Sequence, residues 1–272
     1  MPESSRRTDA SLDRALALAA PALEAEPAGL ITDFDGTLAP IVHDPFMAAL
    51  VEGADGALAA LAERLAVVAI VTGRAPLDAR RVARAPGVLI VGNHGTEWLS
   101  PGESEPTVAV GADAIAGALD EALSRVPTLP GVVTDHKGVS ASVHYRQAPD
   151  PVIARDAIVE ALGDVQQLGL RIGHGRMIVE LRAPAIGDKG TAAHKIVDRF
   201  GLRGVIVMGD DVTDLDMFAA VASRRRAGRL RAAIVAVGGA DHEIPPEVGA
   251  AADVVLETPA EAAELLARLS RD

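Results

Sequence analysis

The feature that most constrains the fold of this chain is a series of short apolar runs, each followed by polar or glycine-rich residues. The runs that predict strands are 30–32, 66–72, 88–91, 205–208 and 232–237, with 254–256 as a sixth candidate. The helix-like stretches that separate several of them are 54–64, 77–83, 191–200 and 214–222. Continuous apolar strands that alternate with helices are typical of a parallel sheet with helices on both faces. The sequence therefore predicts an α/β fold with a Rossmann-like parallel sheet core.

The middle of the chain has a different pattern, in which a helix-like stretch followed by two strand-like runs occurs twice. This pattern predicts an antiparallel sheet with helices on one face. The helix-like parts are 111–125 and 150–162, and the strand-like parts are 132–134, 140–145, 170–172 and 177–181. We therefore expect a second, inserted α+β domain at 107–183, within a core formed by 1–106 and 184–272. A first helix is expected at 10–26, with Pro21 breaking or ending its first part, and a closing helix at 261–269.

Acidic residues follow two of the predicted strands. Asp33 and Asp35 come directly after the first run, and the segment 209–214, Gly-Asp-Asp-Val-Thr-Asp, comes after the run 205–208. In parallel sheets, ligands bind beyond the carboxyl ends of the strands. Concentrated carboxylates at such a place are costly without a cation, and hard oxygen ligands suit Mg²⁺. The sequence predicts a Mg²⁺ site made by the carboxylates of Asp33 and Asp210 and the backbone carbonyl of Asp35.

The same residue types suit phosphoryl transfer. An oxygen of Asp33 can attack phosphorus and form an aspartyl-phosphate. Asp35 is then placed to protonate the leaving alcohol and later to deprotonate the attacking water. Gly36 allows a tight turn, and Thr37 offers a hydroxyl beside it.

Two further residues complete such a site. Thr72, at the end of a predicted strand, can donate a hydrogen bond to a phosphate oxygen, and Lys189 can neutralise the nucleophile and the pentavalent phosphorus. Asp214 has two open roles, holding that lysine or binding the metal through water, and Asp211 is a supporting residue. Each motif alone has an ordinary explanation, such as a turn before a helix or a helix N-cap. The order of the motifs and their shared position at strand ends favour a metal-dependent enzyme that acts on a phosphate over these ordinary explanations.

Composition narrows the class of partner. The net charge of −12 argues against a nucleic-acid or anionic-membrane partner. With no cysteine in the chain, disulfides and thiolate metal sites are excluded. No apolar run approaches the length that spans a bilayer, and residues 1–9 are polar and charged. We expect a soluble, cytoplasmic monomer that acts on a small molecule.

The four motifs, in their order, resemble those of the haloacid dehalogenase-like phosphatases, and the resemblance covers nearly the whole chain. The matching positions are 33–37, Thr72, Lys189 and 209–214. A receiver domain fits poorly, because its phosphorylated Asp lies on a strand well after its acidic pair. A receiver domain is also only about half as long as this chain. The long insertion between Thr72 and Lys189 implies the superfamily type that has an α+β cap there and often acts on phosphosugars.

Within this superfamily the chain is similar to the trehalose-6-phosphate phosphatases. The segments that carry this similarity are 92–97, 135–138, 143–146, 175–182 and 209–218. The resemblance implies a Mg²⁺-dependent phosphatase that converts trehalose 6-phosphate to trehalose and phosphate through an Asp33 phosphoenzyme. It also implies sugar contacts from the cap. The residues expected to bind substrate are Asp135, Lys137, Arg146 and Glu180, together with Arg74 and His94.

Two positions depart from the pattern of that family, and they leave alternatives open. Asp135 and Leu215 stand where the family usually has Glu. A phosphatase for another sugar or cyclitol phosphate is therefore an alternative, and a non-catalytic sugar-phosphate-binding protein is a second. Lys137 also has an ordinary explanation as a solvated turn residue. Arg146 and Glu180 have one as a cross-strand ion pair worth under about 1 kcal/mol.

Overall fold

The computed structural model describes residues 3–42, 47–108, 111–175, 177–183, 187–238 and 244–271. The chain forms two compact units, Met1–Thr107 with Asp188–Asp272, and Val108–Gly187. The boundaries of the second unit are therefore 108 and 187, where the sequence suggested 107 and 183.

The elements alternate between strand and helix through most of the chain. The strands are β1 (Ala28–Thr32), β2 (Val67–Val71), β3 (Leu89–Gly92), β4 (Glu97–Leu99), β5 (Thr107–Val108), β6 (Val133–His136), β7 (Ser140–His144), β8 (Arg171–Gly175), β9 (Ile178–Arg182), β10 (Gly204–Gly209), β11 (Arg231–Val237) and β12 (Val254–Leu256). The α-helices are α1 (Glu3–Leu23), α2 (Ala54–Arg64), α3 (Pro76–Val82), α4 (Ala112–Ser124), α5 (Pro151–Ala161), α6 (Lys189–Arg199), α7 (Leu215–Arg226), α8 (Pro246–Ala251) and α9 (Pro259–Leu269). None of these described helices combines the length and the apolar character that crossing a bilayer requires.

The main sheet has the strand order β12-β11-β10-β1-β2-β3-β4-β5. Its strands from β12 to β3 are parallel, and β4 runs antiparallel to β3. In β1 and β10, Thr32 is opposite Met208, and the backbone N–H of Asp33 donates to the carbonyl of Met208 at 2.9 Å. The two acidic segments therefore leave adjacent strands at the same edge of the sheet.

Both faces of this sheet are covered, as the continuous apolar runs predict. Alternate strand residues point to opposite faces. Leu30 and Ile70 pack into one core with α1, α2 and α9, whereas Ile31 and Val71 pack into another with α6 and α7. Burial of each such side chain contributes about 1.5–3 kcal/mol. The predicted α/β fold with a Rossmann-like core is confirmed.

The structure corrects the sequence prediction at four elements. Pro21 does not break the first helix, because it lies inside α1, which continues to Leu23. The packing of Ala15, Ala19 and Ala22 in the core offsets the backbone hydrogen bond that proline removes. The short strands β4 and β5 and the six-residue helix α8 were not predicted. Elements of this length carry too few residues to show a periodicity.

The second unit contains an antiparallel sheet with the order β6-β7-β9-β8. On one face, Ala141, Val143, Val179 and Leu181 pack into a core with residues of α4 and α5. On the opposite face the register places Ser142 between Asp135 and Glu180. The expected helix–hairpin repeat is present, and the sheet separates an apolar face from a polar one.

Candidate active site

The strand order explains why distant residues meet. The neighbouring strands β10, β1, β2 and β3 end side by side, so that Asp210, Asp33, Thr72 and Asn93 follow in that order across one edge of the sheet. Each of these four residues is buried. Carboxyl ends of parallel strands form the usual ligand-binding edge of such sheets.

Lys189 connects two of the carboxylates. It is the first residue of α6, whose N-cap residue Asp188 accepts a hydrogen bond from the backbone N–H of Thr191 at 2.6 Å. The ammonium Nζ of Lys189 lies 2.9 Å from Asp33 Oδ1 and 2.7 Å from Asp214 Oδ1. The side chains of Lys189, Asp33 and Asp214 are only 3%, 8% and 0% exposed. The structure brings the predicted nucleophile and the predicted phosphate-neutralising lysine into direct contact.

Among the described residues of this cluster, the carboxylates of Asp33, Asp210 and Asp214 outnumber the single ammonium group of Lys189. Burial raises the pKa of Asp33 well above its usual range, Asp214 and Asp210 raise it further, and Lys189 opposes them. Burial lowers the pKa of Lys189, but the carboxylates of Asp214 and Asp33 outweigh this effect and raise it overall. Lys189 therefore remains a cation, whereas an ionised Asp33 requires additional positive charge.

Asp214 is held by three donors. Its Oδ1 accepts from Lys189, and its Oδ2 accepts from the backbone N–H groups of Asp210 at 2.9 Å and Asp211 at 3.0 Å. Gly209 allows this close approach, since a Cβ there would lie 2.5 Å from Asp214 Cγ. Asp211 is the N-cap of the short 3-10 helix Val212–Asp214. Of the two roles left open for Asp214, the geometry favours the one that holds the lysine.

The donor set fits a divalent cation. Asp33, Asp210 and Asp214 each place one carboxylate oxygen within 4.8 Å of the others. Thr37 Oγ1 donates to Asp210 Oδ1 at 2.8 Å and so orients that carboxylate. Gly36 has φ +86°, and a Cβ there would overlap the carboxylate of Asp210. Buried, hard oxygen ligands in excess of the available positive charge are the chemistry that a Mg²⁺-type ion satisfies.

Arg74 contacts the predicted acid/base residue. Its Nε and one terminal nitrogen each donate to an oxygen of Asp35 at 2.7 Å, which makes a two-pronged ion pair. The guanidinium carbon also lies 5.2 Å from the centre of the Phe34 ring. The backbone N–H of Arg74 donates to Thr72 Oγ1 at 3.2 Å. Arg74 was expected to bind substrate, and in this structure it holds Asp35.

The segment after β3 joins the site through backbone hydrogen bonds. The N–H of His94 donates to the carbonyl of Thr72 at 2.9 Å, and the N–H of Asn93 donates to the carbonyl of Arg74 at 2.8 Å. Asn93 was not singled out from the sequence. Asn is one of the few residues other than glycine that adopt left-handed backbone, and its place directly after a predicted strand is the signal that could have drawn attention to it.

The four expected sugar-binding residues of the second unit gather around His144. Asp135 and Glu180 lie in one row of the sheet, and Lys137 Nζ is 3.9 Å from Asp135 Oδ2. Burial lowers the pKa of His144, and Lys137 and Arg146 lower it further, whereas Asp135 and Glu180 raise it. Glu180 also pairs with Arg182 at 3.0 Å. No role was expected for His144, which lies on this polar face because it is two residues after Ser142 in β7.

Comparison with known proteins identifies the family. The trehalose-phosphatase family model matches residues 31–244. The chain is 35% identical over 250 residues to a trehalose-phosphate phosphatase of Mycobacterium avium, covering 88% of this chain and 61% of that protein. It is 40% identical over 200 residues to an uncharacterised glycosyl hydrolase of Mycobacterium tuberculosis, covering 70% of this chain and 15% of that protein.

A solved structure agrees with the fold. The C-terminal domain of Candida albicans trehalose-6-phosphate phosphatase superposes with a TM-score of 0.76 at 22% identity, covering 94% of this chain and 97% of that one. The chain spans 61% of the length of the Mycobacterium avium relative. On the extent of the family match and the identity to these relatives, the chain belongs to the trehalose-phosphatase family of the haloacid dehalogenase-like superfamily.

Proposed function

We propose that this chain is a Mg²⁺-dependent phosphatase that hydrolyses trehalose 6-phosphate to trehalose and inorganic phosphate. The observation that carries the proposal is the buried contact of Lys189 with Asp33 and Asp214, beside Asp210, at the edge where parallel strands end. The names of the relatives supply the substrate. Bound Mg²⁺ would be held by Asp33, Asp210 and the backbone carbonyl of Asp35, and it would supply positive charge for the nucleophile and the phosphate.

The first step transfers the phosphoryl group to Asp33. A carboxylate oxygen of Asp33 forms a bond to phosphorus, and the bond between phosphorus and the sugar oxygen breaks. Asp35 gives its proton to the departing sugar oxygen and becomes a carboxylate. Lys189 and the hydroxyl of Thr72 bind the phosphoryl oxygens, where negative charge increases in the transition state.

The second step releases phosphate. The Asp35 carboxylate takes a proton from a water molecule, and the water oxygen forms a bond to phosphorus. The bond between phosphorus and Asp33 breaks, which restores the Asp33 carboxylate and leaves inorganic phosphate. Arg74 keeps the Asp35 carboxylate at a fixed position through its two hydrogen bonds.

The polar face of the second unit supports a substrate with many hydroxyl groups. Asp135, Lys137, Arg146 and Glu180 offer charged donors and acceptors, and hydrogen bonds to charged groups are stronger than neutral ones. Asp135 is one methylene shorter than the Glu that the family usually has. Another sugar or cyclitol phosphate is therefore the second candidate substrate.

The test is phosphate release from trehalose 6-phosphate with Mg²⁺, beside glucose 6-phosphate, sucrose 6-phosphate and an aryl phosphate. We expect a strong preference for trehalose 6-phosphate and loss of turnover in EDTA. Asp33→Asn should lower kcat at least about a thousandfold, because an amide is a poor nucleophile. The matched control is Asp13→Asn, which makes the same chemical change at a 74% exposed residue of α1.

Each outcome separates the candidates. Turnover of a different phosphate ester alone would keep the phosphatase and reject the trehalose assignment. No release from any ester by folded protein with metal would favour the non-catalytic binding protein. Normal activity of Asp33→Asn would reject the aspartyl-phosphate mechanism.

A further inference from the structure

The turn that follows β3 has an unusual backbone. Asn93, His94 and Gly95 are consecutive and have φ values of +45°, +56° and +111°. Left-handed backbone is unfavourable for residues other than glycine, and runs of such residues are rare. A strained segment of this kind persists only when its surroundings hold it, and such segments cluster at functional sites.

One side of the turn is locked to the loop that carries Thr72 and Arg74. Beyond the two backbone hydrogen bonds described above, glycines bring the two segments together. A Cβ at Gly73 would lie 2.7 Å from two atoms of the His94 ring, and a Cβ at Gly92 would lie 2.6 Å from the carbonyl oxygen of Arg74. The Cβ at Gly92 would meet backbone, so that position requires glycine for this spacing, whereas a Cβ at Gly73 would require the His94 ring to move.

The other side of the turn rests on the start of α6. A Cβ at Gly95 would overlap the carbonyl oxygen of Asp188, and it would lie 2.9 Å from the carbonyl carbon of Asp188 and 3.3 Å from Ala192 Cβ. Lys189 is the residue after Asp188. The indole Nε1 of Trp98 donates to the carbonyl of Gly95 at 3.1 Å and fixes this end of the turn.

We propose that the turn Gly92–Gly95 is a spacer that sets the distance between the loop of Thr72 and the helix start of Lys189. These are the two side chains that would hold the phosphoryl group, so the inference rests on the proposed function. The residues of the turn act as positioning residues, since they work through Thr72 and Lys189. Gly73, Gly92 and Gly95 allow the Thr72 loop, the turn and the start of α6 to pack closely. The left-handed backbone of Asn93 and His94 sets the direction of the chain through the turn.

The decisive variant is Gly95→Ala, because its methyl group forces the turn and the start of α6 apart. A misplacement of about 1 Å at a catalytic site can cost about 100-fold in rate, and we expect a fall of that order in kcat. The inhibition constant of inorganic phosphate should rise in parallel. The matched control is Gly102→Ala, at φ +83° with no atom within 4 Å of the added Cβ. It likewise places alanine at a positive φ, and its kcat should stay within about twofold of wild type.

A second pair of variants protects the test if Gly95→Ala does not fold. Asn93→Gly and Asn93→Val both remove the hydrogen bond from Asn93 Nδ2 to Glu97 Oε2, which is 2.5 Å long. Only glycine accepts the left-handed backbone, so the difference between the two isolates the turn conformation. We expect Asn93→Val to have a kcat at least about tenfold below that of Asn93→Gly, since β-branched residues are outliers at positive φ.

The failure of this inference is distinct from the failure of the proposed function. If wild type hydrolyses trehalose 6-phosphate and folded Gly95→Ala keeps the wild-type kcat and phosphate inhibition constant, the spacer inference is rejected and the proposed function stands. If wild type hydrolyses none of the esters, calorimetric binding of inorganic phosphate still tests the spacer. Weaker binding in Gly95→Ala than in Gly102→Ala supports it, and equal binding rejects it.

Discussion

Replacing Asp214 with Asn tests whether this residue holds the site together. The side chain is fully buried, and it accepts three hydrogen bonds, from Lys189 and from the backbone of Asp210 and Asp211. Asn has one oxygen instead of two. Whichever way the amide is turned, its NH₂ group faces a donor, either Lys189 Nζ or two backbone N–H groups.

The expected cost is a large part of the stability of the protein. Removing one partner of a buried, hydrogen-bonded ion pair costs about 3–5 kcal/mol, because the other charge stays buried. The total stability of a typical protein is only about 5–15 kcal/mol. One effect acts in the opposite direction, since Asp214 also raises the pKa of Asp33, and its removal relieves that repulsion. We expect the loss to prevail, because Lys189 would keep only Asp33 as a carboxylate partner.

Urea unfolding followed by circular dichroism at pH 7 in EDTA measures the difference. The control is Asp198→Asn, which breaks an ion pair with Arg224 at a side chain that is 66% exposed. Such surface pairs contribute about 0–1 kcal/mol. With an m-value of about 3 kcal/mol per molar urea, the unfolding midpoint of Asp214→Asn should lie about 1–1.7 M below that of wild type. An unfolding midpoint for Asp214→Asn at or above that of Asp198→Asn would refute the reasoning.

Two further predictions concern residues that orient the reacting groups. Thr37→Val removes the hydroxyl that donates to Asp210 Oδ1. The Mg²⁺ concentration for half-maximal activity should therefore rise about 10–100-fold, while kcat at saturating Mg²⁺ recovers. An unchanged Mg²⁺ requirement would show that Asp210 is oriented by other groups. Arg74→Lys keeps the positive charge but loses the pair of hydrogen bonds to Asp35. We expect kcat at saturating substrate to fall about tenfold, which is part of the 10²–10⁴-fold that general acid–base catalysis contributes. An unchanged kcat would show that Arg74 does not position Asp35.

The strands and their ends could be predicted because the information is local. The runs at β1 and β10 are continuous and apolar, and the residues that follow them are acidic or glycine. The topology of a parallel sheet then requires Asp33 and Asp210 to lie at the same edge. No side-chain geometry is needed for that step, and the structure agrees with it.

The contacts between side chains could not be predicted, because they depend on spacing in three dimensions. Arg74 and Asp35 are distant in the sequence, and no pattern indicates that the guanidinium meets the carboxylate. The choice between the two roles of Asp214 required the positions of its three donors. His144 lies two residues after Ser142 in β7 and so on the polar face, yet its four charged neighbours come from β6, β9 and the turns after β6 and β7.

The contact between Trp98 and Gly95 makes Trp98 an intrinsic fluorescence probe of this turn. Trp98 is the only tryptophan in the chain, so the indole fluorescence of the whole protein arises at one position. Its Nε1 hydrogen bond ends on the backbone carbonyl of Gly95, beside the start of α6. A change in emission on adding phosphate or Mg²⁺ would therefore come from the surroundings of this one ring, without any attached dye.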